Sequence, residues 1–229
     1  EVIVSMTPSS EPPAGFDPFV SWGCGEHCHE PLIQSTLITT DTDLNFKNDL
    51  ATSYECSEDG LTWTFTIRDD VKFTNGTPLR ASDVAFTING IVNSESSEAD
   101  LSMVANAEAP DDTTVIIHLN KPFNALLYTL AVVGIVPEDA YDENYGSNPI
   151  GSGRYMLEQW DKGQQVILTA NPDYYGEEPK IKRVVVVFMD EDASLAAAAA
   201  GEVDVAYTSA TLADGVPKGY SLLNCASVD

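Results

Sequence analysis

The sequence predicts an α/β protein, built from a mixed sheet and a mostly antiparallel subdomain that is inserted into it. Three observations support this fold class. Leu61 to Arg68 alternates apolar and polar residues with a period of two, which is typical of a strand. Val184 to Met189 is a continuous apolar run, which is typical of a strand inside a sheet. The alanine-rich stretch Asp192 to Ala200 follows it as a predicted helix, so strands and helices are interleaved.

The N-terminal part combines a strand, an irregular segment and an apolar stretch. Val2 to Met6 is predicted to be a short strand. Pro8 to Pro18 is rich in proline and serine and is predicted to be irregular. Leu32 to Ile38 is apolar, and we predict that it continues a helix that begins near Glu26.

The middle of the chain carries helices and strands in alternation. Ser82 is the predicted N-cap of a helix, with Asp83 in the first turn, where the helix dipole favours a carboxylate. The apolar stripe of this helix runs from Val84 to Val92. Thr113 to Leu119 is predicted to be a strand, and Pro122 is predicted to start a further helix.

The C-terminal part predicts a hairpin and a helix–strand unit. Tyr155 to Trp160 and Gln165 to Ala170 are the two predicted strands of the hairpin. The alanine-rich helix is expected to stop at Gly201, because glycine readily adopts the left-handed conformation that ends helices. Val203 to Tyr207 then returns as a strand.

The charge of the chain excludes some partners. The 229 residues contain 11 Lys and Arg against 36 Asp and Glu, which gives a formal net charge of −25. Such a surface repels phosphate backbones, so no nucleic acid is expected as a partner. The carboxylates are scattered, and they serve either as a solubilising coat or to attract cations. No apolar run approaches the roughly 18 residues that a membrane-spanning helix needs.

A cluster of potential metal ligands lies at Cys24, Glu26, His27, Cys28 and His29. On a helix, Cys24, His27 and Cys28 would fall at i, i+3 and i+4, which is one face. Two thiolates and an imidazole suit Zn²⁺ or another borderline metal such as Ni²⁺. The candidate metal ligands are therefore Cys24, His27, Cys28 and His29.

A structural interpretation of the same cluster stays open. Cys24 and Cys28 can pair with each other in an oxidising compartment, although a spacing of i and i+4 on a regular helix makes the disulfide geometry tight. Either can instead pair with Cys56 or Cys225, and the two histidines can be ordinary exposed residues.

A long, specific stretch of the chain, Ser57 to Leu79, reads SEDGLTWTFTIRDDVKFTNGTPL. It closely resembles family 5 extracellular solute-binding proteins, the oligopeptide-, dipeptide- and nickel-binding components of ABC importers. Further landmarks of that family follow in order, and the resemblance covers nearly the whole chain. They are Asp49-Leu50-Ala51 with Ser53-Tyr54, Ser82-Asp83-Val84, Pro149 to Tyr155, Asn171 to Tyr175, and Gly201 to Asp204.

The resemblance implies a type II periplasmic-binding-protein lobe. Residues 1–42 and 151–229 would form the mixed α/β core of lobe I, and residues 43–150 would form the inserted subdomain. Family members have two lobes and about twice this length, so lobe II is expected to be absent from this chain.

The resemblance also implies function and site. The chain would be the extracytoplasmic substrate-binding component of an ABC importer, periplasmic or lipid-anchored, and would capture peptides or a metal chelate by hinge closure. Permease subunits are the implied partners, a monomer is expected, and no enzymatic activity is expected. The ligand contacts are predicted to be Ser21, Trp22, Gly23, His27, Val133 and Gly134.

Two other function classes remain as alternatives. A zinc-dependent hydrolase could use Cys24, His27 and Cys28 as ligands, with Glu26 as the base. A non-transport interaction module is the other. In nickel-binding relatives an arginine near Val133 holds the chelator carboxylates, whereas this chain has no arginine between Arg80 and Arg154, which argues against a nickel chelate.

Overall fold

The computed structural model of the chain describes residues 1–21, 31–209 and 216–223. Within these residues the strands form a five-stranded mixed sheet, a four-stranded antiparallel sheet and a small two-stranded sheet. Helices lie between strands along the chain, so the predicted α/β class with a mixed sheet and a mostly antiparallel part is confirmed.

The mixed sheet has the strand order β11-β1-β10-β9-β8. The strand β1 lies inside the sheet and pairs in parallel with the central strand β10 on one side and with β11 on the other, while β10 pairs antiparallel with β9 and β9 pairs antiparallel with β8. The predicted hairpin is the pair β8–β9. The bounds of these strands are Val2–Met6 (β1), Tyr155–Asp161 (β8), Gln165–Ala170 (β9), Arg183–Phe188 (β10) and Val205–Ala206 (β11).

The helix α3, Glu191–Ala200, connects β10 to β11. It ends at Gly201, which has φ = +76° and is thus in the left-handed region, as the sequence predicts. On its inner side the hydroxyls of Ser194 and Ser5 form a buried hydrogen bond of 2.5 Å, which ties α3 to β1.

The antiparallel sheet has the order β4-β5-β7-β6. In β5 the side chains of Phe65 and Ile67 are buried while Thr66 is exposed, which confirms the predicted alternation. The strand predicted from Thr113 is also present, as β7. The bounds are Ala51–Cys56 (β4), Thr62–Ile67 (β5), Val104–Glu108 (β6) and Thr114–Leu119 (β7).

The helix α1, Ala81–Asn93, packs on this sheet, and its start differs from the prediction. The N-cap is Arg80 rather than Ser82, because the carboxylate of Asp83 reaches back and accepts the backbone N–H of Arg80 at 2.8 Å. The helix predicted to start at Pro122 begins later, as α2 at Leu126–Leu130.

Two further differences concern the N-terminal part. The predicted helix across Leu32 to Ile38 is wrong: residues 31–37 are not helical, and Ile38–Thr40 is a strand (β2) that pairs antiparallel with Phe46–Asn48 (β3). The physical reason is pairing with the chain that follows, since the carbonyl of Leu37 accepts the backbone N–H of Ala51 at 2.9 Å. Short 3₁₀ turns occupy Pro8–Ser10 and Glu138–Ala140.

Two apolar clusters stabilise the described residues. The larger lies around α1, α2 and the antiparallel sheet, and the smaller packs against the mixed sheet around Tyr155, Val166 and Leu168. All four strands of the antiparallel sheet fall between residues 43 and 150, and all strands of the mixed sheet fall outside that range. The division of the chain at residues 42 and 150 stays a prediction.

No helix in the described part of the chain is both long and apolar enough to span a membrane.

Candidate ligand-binding site

The segment that follows β1 is held in place by a buried carboxylate. Asp17 is 3% exposed, and its side chain accepts hydrogen bonds from the backbone N–H of Phe19 at 2.9 Å and from the hydroxyl of Tyr141 at 2.8 Å. The backbone N–H of Ser21 donates to the carbonyl of Asp17 at 3.3 Å. Buried hydrogen bonds to a carboxylate fix the local backbone. This turn therefore sets the position of Ser21, the first of the predicted contact residues.

Gly15 brings the start of this turn against a second segment. It has φ = +80°, and a Cβ atom there would lie 2.2 Å from the carbonyl oxygen of Gly146. The same carbonyl accepts the backbone N–H of Phe16 at 2.9 Å. Only glycine fits this contact, because it tolerates the left-handed conformation and has no side chain.

A buried glutamine joins the turn to the segment that carries Gly134. The side-chain amide of Gln34 donates to the carbonyl of Phe16 at 2.8 Å and to the hydroxyl of Tyr145 at 3.2 Å. A Cβ atom on Gly134 would lie 2.6 Å from the Cβ of Gln34, so the glycine is what allows the two segments to approach. Gln34 was not singled out from the sequence, since a single glutamine in an apolar stretch carries no local signal of this role.

The predicted contact residues Val133 and Gly134 are part of an anchored strip. Val133 and Ile135 are 2% and 1% exposed and belong to the larger apolar cluster. The backbone N–H of Ile135 donates to the carbonyl of Ser35 at 2.9 Å. Gly134 is thus held between two core residues and is itself buried, and without a side chain it has only main-chain groups with which to contact a ligand. The side chain of Val133 is occupied by core packing.

Two tyrosines below this strip stay protonated at physiological pH. Burial is the main cause that raises the pKa of Tyr141 and of Tyr145 well above the usual value, and the negative charge of Asp17 raises both further. The hydroxyl of Tyr141 therefore remains a donor to Asp17, and that of Tyr145 remains a donor to the carbonyl of Ile150 at 2.9 Å. The hydrogen bonds that support the strip do not depend on pH in the neutral range.

The glycines of the Pro149 to Tyr155 landmark also allow a close backbone contact. A Cβ atom on Gly151 would lie 1.9 Å from the carbonyl oxygen of Ile33, and the backbone N–H of Gly153 donates to that oxygen at 2.8 Å. Ser152 between them is fully buried, and its hydroxyl has no hydrogen-bond partner within the described residues. This contact fixes the chain just before Gln34.

A tyrosine that sequence reasoning quoted only as a family landmark links the two large sheets. Tyr175 lies between β9 and β10, and its hydroxyl donates to the carboxylate of Asp49, just before β4, at 2.5 Å. The guanidinium of Arg68, at the end of β5, lies 4.6 Å from the centre of the Tyr175 ring. Burial first, and then the charge of Asp49, raises the pKa of Tyr175 far above its usual value. The hydroxyl therefore stays a donor.

A shallow cavity of about 340 Å³ opens beside the carboxyl end of β1. Its lining consists of three prolines together with Ser9, Glu11, Trp160 and Lys162. The carboxylate of Glu11 accepts the indole N–H of Trp160 at 2.7 Å, and the ammonium of Lys162 lies 4.7 Å from the centre of that ring. The polar groups of this cavity are largely occupied by one another, and of the predicted contact residues that the structure describes, none lines it.

Several predicted site residues lie outside the part of the chain that the structure describes. These are Trp22, Gly23 and the cluster from Cys24 to His29, together with Cys225. Their assignment as ligand contacts, metal ligands or disulfide partners stays a prediction. Cys56 is exposed at the end of β4 and forms no disulfide within the described residues. Residues 1–21, 31–209 and 216–223 contain no group of three or more side chains suited to hold a metal ion.

The sequence is similar to proteins of one family. The family model described as bacterial extracellular solute-binding proteins, family 5 Middle, matches residues 45–219. The chain is 34% identical over 215 residues to the probable D,D-dipeptide-binding periplasmic protein DdpA of Escherichia coli (strain K12), covering 85% of this chain and 41% of that protein. It is 31% identical over 169 residues to the nickel-binding periplasmic protein of the same organism, covering 69% of this chain and 32% of that protein.

Solved structures share the fold. NikZ from Campylobacter jejuni in complex with Ni(L-His) has a TM-score of 0.78 and 26% identity, covering 89% of this chain and 42% of that one. The oligopeptide-binding protein AppA from Bacillus subtilis, in complex with a nonapeptide, has a TM-score of 0.75 and 25% identity. The match covers 88% of this chain and 42% of that one. The predicted fold, that of a type II periplasmic-binding-protein lobe, is thereby confirmed. The chain spans about two fifths of the length of these proteins.

Proposed function

The chain belongs to the bacterial extracellular solute-binding proteins of family 5, and on this premise we propose that it forms the first lobe of a two-lobed protein that captures a solute for an ABC importer. Closing two lobes about a hinge removes the ligand from water on both sides, and a transporter can distinguish the closed shape from the open one. The match to the family model over residues 45–219 is the observation that carries this proposal.

The ligand class that we propose is a peptide, with a metal chelate as the second candidate. A peptide is favoured because Gly134, on its rigid support, could contact a ligand only through main-chain groups, and main-chain hydrogen bonds can hold peptides of different sequence. Relatives named for dipeptide and peptide binding support the first class, and a relative named for nickel supports the second.

The contacts that we propose come from two segments. Ser21, Trp22, Gly23 and His27 would act from the first, and Gly134 with the main chain of Val133 from the second. Two observations support this arrangement: the hydrogen bonds of Asp17 and Gln34 fix the first segment, and Gly134 of the second segment packs closely against the side chain of Gln34. If a metal is bound, Cys24, His27, Cys28 and His29 would hold it, and Ni²⁺ or Zn²⁺ fits that donor set.

Location and partners follow from the same premise. We propose an extracytoplasmic protein, periplasmic or lipid-anchored, that acts as a monomer with the permease subunits of an ABC importer. It would bind rather than transform its ligand. Residues 43–150 would form a subdomain inserted into the lobe formed by residues 1–42 and 151–229.

Mass spectrometry of small molecules released from the purified natural protein tests this function. We expect a peptide or a metal chelate in a 1:1 ratio, and calorimetry should show that the emptied protein binds it again. Release of no such ligand, together with no heat on titration with peptides or nickel–histidine, would contradict the proposal. Turnover of a peptide ester that depends on zinc would instead favour an enzyme.

A further inference from the structure

The folded chain carries far more negative than positive charge, and nearly all of it faces solvent. The formal net charge is −25, from 36 acidic and 11 basic side chains. Among the described residues, Asp17 and Asp83 are the buried acidic ones, at 3% and 8% exposed. The other described carboxylates lie at or near the surface. Folding therefore concentrates like charges on one compact surface.

Two acidic turns show this crowding locally. The turn with Asp69 and Asp70 follows β5, and the turn with Asp111 and Asp112 precedes β7. These turns lie side by side at one end of the antiparallel sheet, since the backbone N–H of Ile67 donates to the carbonyl of Thr113 at 2.8 Å. Four carboxylates that are spread over more than forty positions of the sequence are thus neighbours in the fold.

Nearby positive side chains offset this charge only in part. Arg68 pairs with Asp70 at 2.8 Å, and Arg80 approaches Asp112 at 3.7 Å with the two side chains 53% and 80% exposed. Ion pairs this exposed contribute little to stability. Across the chain, basic residues are outnumbered more than threefold, so repulsion remains after every pair is made.

The size change on unfolding determines how much this repulsion matters. A chain of this length has a radius of gyration of about 17 Å when folded and about 52 Å when unfolded. The typical distance between charges is therefore about threefold smaller in the folded chain. The electrostatic cost grows with the square of the net charge and falls as salt screens it. The screening length is about 8 Å at 0.15 M salt and about 3 Å at 1 M.

We propose that the fold depends on high concentrations of monovalent salt, which relieves repulsion between its surface carboxylates. At low ionic strength this repulsion opposes the compact state, and at high ionic strength it is screened. The dependence is a property of the whole surface and needs no specific cation site.

The test removes charges from exposed side chains. One variant replaces eight exposed acidic residues by their amides, which changes the formal net charge from −25 to −17. None of these side chains forms a hydrogen bond or ion pair within the described residues. They are Asp43, Glu55, Glu58, Asp69, Glu95, Glu98, Glu143 and Glu177. The matched control exchanges Asp for Glu and Glu for Asp at the same eight positions and keeps every charge.

Thermal unfolding is followed in 0.1 M and 2 M KCl. We expect the Tm of the unmodified chain to rise on the order of 10 °C between these concentrations. The amide variant should have the higher Tm in 0.1 M KCl, and its rise should be about half as large, because repulsion scales with the square of net charge. The charge-conserving control should rise as the unmodified chain does.

Two results would overturn the proposal. One is a Tm of the unmodified chain that does not rise with KCl. The other is an equal rise in the amide variant, which would mean that salt acts by strengthening apolar burial. If the variant with eight substitutions does not fold, a variant with four of them replaces it. The Tm of that variant should rise with KCl by about seven tenths of the rise of the unmodified chain.

Discussion

Replacing Tyr175 with phenylalanine removes one hydroxyl and leaves the aromatic ring in place. The ring keeps the guanidinium of Arg68 at 4.6 Å and the ring of Tyr174 at 4.7 Å. The change therefore isolates the hydrogen bond to Asp49, which spans 126 positions of sequence and joins the two large sheets. Asp49 keeps its other contacts, among them the backbone N–H of Thr36 at 3.4 Å.

The expected cost follows from the type of bond that is lost. A hydrogen bond to a charged acceptor contributes about 1.5–3 kcal/mol to the free energy of unfolding. For a domain of this size, 1 kcal/mol shifts Tm by about 2–4 °C, so Tyr175→Phe should lower Tm by about 3–12 °C. The pKa of Tyr175 is raised far above its usual value, so the loss should be the same throughout the neutral pH range.

Urea unfolding and thermal unfolding measure this effect, and the neighbouring tyrosine provides the control. The hydroxyl of Tyr174 accepts one bond from the Nε of Arg154, at 3.3 Å and at the surface. Tyr174→Phe should therefore cost less than about 0.5 kcal/mol. Equal and small losses in both variants would refute the view that the Tyr175–Asp49 bond holds the sheets together.

Two further predictions concern charge and metal. The hydrogen bond from Arg68 lowers the pKa of Asp70, so Arg68→Gln should return that pKa toward its usual value in a carboxyl NMR titration. Because the pKa of Asp70 is lower in the folded state, its contribution to the free energy of unfolding is present above the unfolded pKa of about 3.9. That contribution is lost as pH falls through the folded pKa. An Asp70 pKa that Arg68→Gln leaves unchanged would contradict this prediction. If Cys24, His27 and Cys28 bind metal, the reduced protein should take up Ni²⁺ or Zn²⁺, and His27→Ala should abolish the uptake while the fold survives. Blocked thiols at both cysteines and no uptake would instead support the disulfide.

The elements that the sequence predicts well are those with a strong local pattern. The alternation in β5 and the glycine stop after α3 each depend on a few adjacent residues. The predicted helix across Leu32 to Ile38 is wrong because an apolar run can satisfy its backbone by pairing with a distant segment, here the chain around Ala51. The helix start was misplaced because the side chain of Asp83 caps from inside the helix.

The site was less accessible to sequence reasoning than the fold. Family resemblance directed attention to Ser21 and Gly134, but the residues that support them act through tertiary contacts. Gln34 and Asp17 are separated from their partners Tyr145 and Tyr141 by more than a hundred positions. A single buried polar residue has no periodicity, so its role becomes visible only when the chain is folded.

Amide NMR of the isotope-labelled chain, titrated with the ligand found by mass spectrometry, tests the central claim most directly. The account predicts shifts concentrated at Ser21 and Gly134 and in the segment from Trp22 to His29, with little change at Thr64 on the antiparallel sheet. If the chain is the first lobe of a two-lobed protein, as we propose, it should bind more weakly than that whole protein, because one lobe covers only one side of the ligand. Shifts confined to the antiparallel sheet, with Ser21 and Gly134 unchanged at saturation, would contradict the account.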